Sequence, residues 1–249
     1  MNRKTDDNEG LIRPMKGKTD PDVGPDAILV MIRSELGYLV KASKNVASFN
    51  MGFFNLYQSK SDKKVFSTLT GPFLGAPQAV MGMEKIIALG AKRIWVLGWC
   101  GSLQHDLQIG DLVIPSSAVS EEGTSQHYPI DEAIRATDEE LNGMLETALQ
   151  EKGHSFKRGP VWTTDAPYRE TPAKIKEYQN RGVLAVEMEM SALMTLAVYR
   201  KVKIAGLLVV SDEMSDLKWH TGFTSPVLKQ RSRFAGELLL ELVESLING

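Results

Sequence analysis

Apolar residues fall along this chain in two patterns, short unbroken runs and longer stretches with helical spacing. Ala27–Met31 (AILVM) is a short run and reads as a buried strand, and the SELGYLVKAS after it reads as a helix. Polar turns are expected near Tyr57–Lys64, followed by a strand, VFSTLT. Val80, Met83, Ile86 and Ile87 recur at helical spacing within Gln78–Leu89, Gly90 ends that helix, and Arg93–Gly98 is the next strand. Pro129–Gly153 reads as mainly helical. Thr171-Pro172 opens another helix, with threonine suited to the cap and proline to the first turn. Gly182–Val186 is a strand, Met188–Tyr199 a mostly apolar helix, Ile204–Val210 a buried strand and Pro226–Ile247 the closing helix. Continuously apolar strands that alternate with helices predict an α/β sheet covered on both faces.

Composition narrows the class. At 249 residues, with 43% apolar and 24% charged, the chain suits one ordinary globular domain. Residues 1–24 are polar and read as an arm, and 25–249 as the folded unit. A net charge of -2 provides no general attraction to nucleic acid or anionic lipid. The single Cys100 fits a reducing cytoplasm rather than a disulfide framework. The four histidines lack metal-site spacing, the N-terminus is too polar for a signal h-region, and no apolar run is long enough to span a bilayer.

Sheets of this kind bind ligands beyond the carboxyl ends of their strands. Three points of the sequence should meet there: Gly98-Trp99-Cys100-Gly101, read as a tight turn, Glu187-Met188-Glu189, and Ser211-Asp212. The first is neither GxGxxG nor a P-loop, so dinucleotide and triphosphate binding are not supported. Glu187 could simply cap a helix and Asp212 form a turn. Glu189 lies beside an apolar helix with few polar neighbours, where a carboxylate is costly unless solvated, bonded or useful.

In their order and spacing, VLAVEMEMSAL, then VVSDEMSD, and LGWCGSLQHDLQIGDLVIP resemble the nucleoside phosphorylase and nucleosidase superfamily. EEGTSQHYP is similar to its uridine phosphorylase branch, and VWTTDAPYRE sits where a base-binding segment is expected. The resemblance implies a three-layer α/β/α domain with a mixed central sheet and cleavage of a nucleoside's N-glycosidic bond. It gives Met188 to the sugar's apolar face, Glu189 to the ribose hydroxyls, Asp212 to proton donation and Trp162 to base stacking. Gly98, Trp99, Cys100, Gly101, Thr163, Glu187 and Ser211 complete the expected binding residues. It implies no cofactor or metal, and a homo-oligomer in which Phe49–Tyr57 could complete a neighbour's site.

The departures concern phosphate. Val96, Trp99 and Ser48 replace residues that hold phosphate in the phosphorylases, and Glu35 stands in the first loop where an arginine is expected. Nucleosidases of the superfamily carry a glutamate there that activates water, so Glu35 is expected to do so here. The partners are then a nucleoside, purine-type favoured, and water. Phosphorolysis through displaced cations such as Arg33, Lys41 or Lys44 is the alternative, and a binding protein without turnover is the third reading.

Overall fold

The computed structural model describes residues 10–61 and 64–248. Among them, ten strands form one mixed sheet in the order β10-β9-β6-β7-β8-β5-β1-β4-β3-β2. The strands nearest the site are β1 (Asp26–Val30), β5 (Arg93–Ser102), β8 (Ala185–Glu187) and β9 (Lys203–Glu213). β4 is Lys64–Gly71, β6 Leu112–Glu121, β7 Lys157–Thr164 and β10 His220–Thr221. β1 pairs in parallel with β4 and β5, and β5 in parallel with β9. β9 also pairs with β6, so the run β5-β8-β7-β6-β9 closes on itself.

Helices cover both faces. α2 (Ala76–Ala88) and α5 (Met190–Arg200) share one apolar cluster with the sheet, and α1 (Arg33–Ala42), α3 (Glu139–Glu151) and α6 (Pro226–Asn248) share the other. Every residue of α5 from Met190 to Ala197 is buried, which accounts for its unbroken apolarity. Thr171 caps α4 (Pro172–Asn180), its hydroxyl accepting the Lys174 N–H, and Pro172 occupies the first turn. Residues 10–25 form no helix or strand. They lie against α2, where Lys85 Nζ donates to the Met15 carbonyl at 2.6 Å and to Asp20 Oδ2 at 2.5 Å.

The structure corrects several elements. The glycines at 98–101 do not make a turn: β5 runs straight through to Ser102, with a register break against β9 between Cys100 and Gly101. Val46–Asn50 (β2) and Asn55–Ser61 (β3) are strands, where polar alternation concealed them. The expected turn near 57–64 therefore narrows, and residues 62–63 lie outside the described residues. The helix expected over Pro129–Gly153 begins at Glu139, where the Asp138 carboxylate accepts the Leu141 N–H.

β1 and β5 are tied together at their start by a buried acid. Asp26 receives Arg93 Nε at 2.7 Å, the second guanidinium nitrogen at 2.5 Å and Trp95 Nε1 at 3.0 Å. Its side chain has no exposed surface. Asp26→Ala leaves these donors without an acceptor and is expected to lower unfolding free energy by about 3 kcal/mol. Urea denaturation checks this, and a change under about 0.5 kcal/mol would show that the pairing is not structural.

Candidate active site

A cavity of about 600 Å³ opens at the carboxyl ends of β1, β5, β8 and β9. Trp99, Cys100 and Gly101 reach it from β5, Glu187 from β8, Met188 and Glu189 from the entrance of α5, and Ser211 and Asp212 from β9. Gly101 is needed for space, since a Cβ there would lie 2.7 Å from Met214 Cε and 3.0 Å from Asp212 Oδ2. Cys100 is no nucleophile, because burial, then the charges of Asp212 and Glu187, push its thiol up.

Glu187 and Glu189 form a buried acidic pair. Glu187 accepts the backbone N–H of Glu189 at 2.6 Å, that of Met190 at 2.7 Å, and the Thr163 hydroxyl. It therefore binds the open N-terminus of α5. Glu189 accepts the backbone N–H of Gly75 at 2.6 Å, which links α5 to the start of α2. Burial raises both carboxyls above the ordinary glutamate range, and the charge of Glu187 raises Glu189 further.

On β9, Asp212 Oδ1 accepts the Ser211 hydroxyl at 2.6 Å and Oδ2 accepts Trp219 Nε1 at 2.9 Å. Trp99 sits at the cavity wall, its indole N–H donating to Ser232 of α6 at 2.7 Å and its ring 6.0 Å from that of Phe223.

Other expected residues lie elsewhere. Trp162 does not face the cavity: it is fully buried, packs 4.6 Å from the Tyr178 ring and donates to Glu121 at 3.1 Å. Strand alternation gives the reason, since Trp162 points to the layer beneath α4. Thr163 supports Glu187 without lining the cavity, and Gly98 lies within the sheet, where a Cβ would meet Leu208 at 2.9 Å. Glu35 is buried under α6 rather than placed at the cavity. Burial raises its carboxyl against the pull of Ser34, Arg233 and Lys229, and Oε2 has no hydrogen-bond partner among the described residues. Arg33 lines an adjoining cavity that shares Met31, Phe73 and Leu74 with the first. Lys41 is exposed in the last turn of α1, about 12 Å along the axis from Arg33 at 1.5 Å per residue, and Lys44 is exposed just beyond that helix.

Residues 25–244 match the phosphorylase superfamily. The chain belongs to that family. A purine nucleoside phosphorylase DeoD-type from Clostridium perfringens is 30% identical over 66% of this chain and 68% of its own length. A guanosine phosphorylase from Halorubrum lacusprofundi is 30% identical over 52% of this chain, which spans 54% of that relative's length. Among solved structures, the purine nucleoside phosphorylase of Toxoplasma gondii in complex with immucillin-H superposes with a TM-score of 0.81 at 22% identity, covering 91% of this chain and 93% of the other. The uridine phosphorylase of Vibrio fischeri gives 0.78 at 21% identity, covering 89% and 92%. The mixed sheet with helices on both faces is the phosphorylase fold.

Sequence reasoning missed Trp219 and Phe223, and it placed Tyr168 and Glu170 in the VWTTDAPYRE segment without giving either a role; all four line the cavity. They lie in loops of polar composition, where periodicity carries no signal. A tryptophan seven residues beyond the strand-end Asp212, in the polar stretch SDLKWH, was the available cue.

The raised Glu189 carboxyl has a stability consequence. Above the ordinary value of 4.5 the folded state holds a proton that the unfolded state releases, so stability falls as pH rises toward the folded value. Glu189→Gln removes that liability while keeping an acceptor for Gly75. The variant should gain melting temperature relative to wild type at pH 8 and gain less, or nothing, at pH 5. Thermal unfolding at the two pH values checks this, and an equal shift at both would contradict it.

Proposed function

We propose that this chain cleaves the N-glycosidic bond of a purine-type nucleoside with water as the nucleophile. The observation that carries this reading is the charge of the cavity. Glu170, Glu187, Glu189 and Asp212 line it, and no lysine or arginine does among the described residues. A phosphate anion there would lose its hydration without gaining a cation, beside carboxylates that repel it. A neutral nucleoside and water carry no such penalty.

The chemistry suits the lining. Breaking the glycosidic bond develops positive charge on the ribosyl ring, and carboxylates at the ribose stabilise it. Glu189 serves the ribose hydroxyls in this reading and Met188 the apolar sugar face. Once formed, such a cation reacts with a weak nucleophile, so no role remains that requires Glu35. A purine is favoured because its ring nitrogen can take a proton as the bond breaks. The aromatic surface for the base comes from rings lining the cavity, Trp219 and Phe223 among them, in place of Trp162.

Phosphorolysis is the second reading. Its support is the names of the relatives, purine nucleoside and guanosine phosphorylases, together with Arg33 in the adjoining cavity. Following the sugar product in phosphate-free buffer, then with phosphate added, separates the two. Hydrolysis predicts free ribose in both conditions and no ribose 1-phosphate. Strict dependence on phosphate would overturn the first reading. In either case Glu189→Gln should lower turnover roughly 10²-fold or more, on natural nucleosides and on ribosides with activated leaving groups alike. Loss confined to one substrate type would remove Glu189 from the ribose.

A further inference from the structure

Asp212 occupies the position where a proton donor is expected, yet both its oxygens are engaged as acceptors. An indole nitrogen can only donate, so Trp219 holds that oxygen as an acceptor. Trp219 is held there by the backbone. The chain turns after β9 and returns as β10, with Thr221 paired to Asp212 and His220 to Glu213.

Glu170 presents a different picture in the same cavity. It follows the short turn Pro167–Arg169 after β7, its own N–H donating to the Pro167 carbonyl at 3.2 Å. The next residue, Thr171, caps α4, so the mounting is anchored on both sides. The Glu170 carboxyl is half-buried and makes no hydrogen bond or ion pair among the described residues. Its free end belongs to the cavity.

We propose that Glu170 delivers the proton to the departing base, and that Asp212, tied to Ser211 and Trp219, serves as a fixed acceptor that orients the base. This rests on the glycosidic-cleavage reading above. The electrostatic setting agrees with the geometry. Burial, then the charge of Asp212, raise Glu170 to about 7, so that near neutral pH a large fraction carries the proton. The other charged groups lining the cavity are Glu187 from β8 and Glu189 at the entrance of α5. Arg169, on the same turn, is exposed and does not line it.

The step balances without a further reagent. As the C1′–N bond breaks, its electron pair stays with the base, whose ring nitrogen takes the Glu170 proton. Water oxygen bonds to C1′, and the proton it releases returns to the Glu170 carboxylate. The base leaves with one hydrogen and the sugar keeps the hydroxyl, which together make one water.

The test compares wild type, Glu170→Gln and Asp212→Asn on inosine, adenosine, guanosine and uridine, and on 4-nitrophenyl β-D-riboside, whose leaving group needs no proton. Glu170→Gln should lower turnover of the best natural nucleoside by roughly 10²–10⁴-fold and the nitrophenyl riboside by less than about tenfold. Wild-type turnover of the nucleoside should fall as pH rises through about 7, and this fall should vanish in Glu170→Gln but persist in Asp212→Asn. Turnover in Glu170→Gln within about threefold of wild type, equal losses on both substrates, or an alkaline fall that survives the substitution would each overturn the assignment. Wild type that cleaves none of these, with or without phosphate, would overturn the cleavage reading itself, a failure seen before any variant is compared.

Discussion

The parallel pairing of β5 with β9 is the contact on which the cavity depends. It runs from Arg93 opposite Lys203 to Ser102 opposite Glu213, and it carries Trp99, Cys100 and Gly101 to the same edge as Ser211 and Asp212. The register break at Cys100 and Gly101 brings Gly101 opposite Asp212. With no side chain at 101, the Asp212 carboxylate and Met214 can lie over the strand. Both strands are apolar and buried along most of their length, so hydrophobic burial sets their alignment and the polar ends follow.

The second consequence is electrostatic. Strand ends that converge in a fold of this kind usually direct helix termini at a ligand, and here the entrance of α5 is already occupied by Glu187. The open N–H groups that could receive an anion are spent on a residue of the chain itself. Glu189 beside it then has burial and a like charge against ionisation. An acid-lined cavity follows.

Two tryptophans shape what enters. Trp99 is anchored to α6 through Ser232, and Phe223 lies between its ring and that of Trp219, at 6.0 Å and 6.2 Å. Trp219 is held over Asp212 by a hydrogen bond and by the β9–β10 pairing. Together they make a wall of aromatic rings from loops and strand ends, while the tryptophan of β7 is committed to the core. The motif EEGTSQHYP is likewise absorbed into structure. Glu122 accepts from Ser120, Thr124, Ser125 and Ser191, and Glu121 from Trp162, Lys174 and Tyr178, so both brace the cavity from behind.

Periodicity and burial patterning alone determined the alternation of strands and helices, the apolar α5, the Thr171 cap and the convergence of three strand-end segments. Each of these depends on residues close in sequence or on uniform apolarity, which leaves a local signature. The family resemblance was carried by the same segments, because they are the ones the fold holds at the cavity. Tertiary structure decided the rest. Whether GWCG is a turn or a strand depends on β9 lying alongside it, which no local pattern records. Trp162 and Glu35 occupy promising positions in the chain, but a strand's alternation and the packing of α6 turn them away from the cavity. Glu170 and Trp219 reach it from irregular loops, where a residue's surroundings are set by elements distant in sequence rather than by its neighbours.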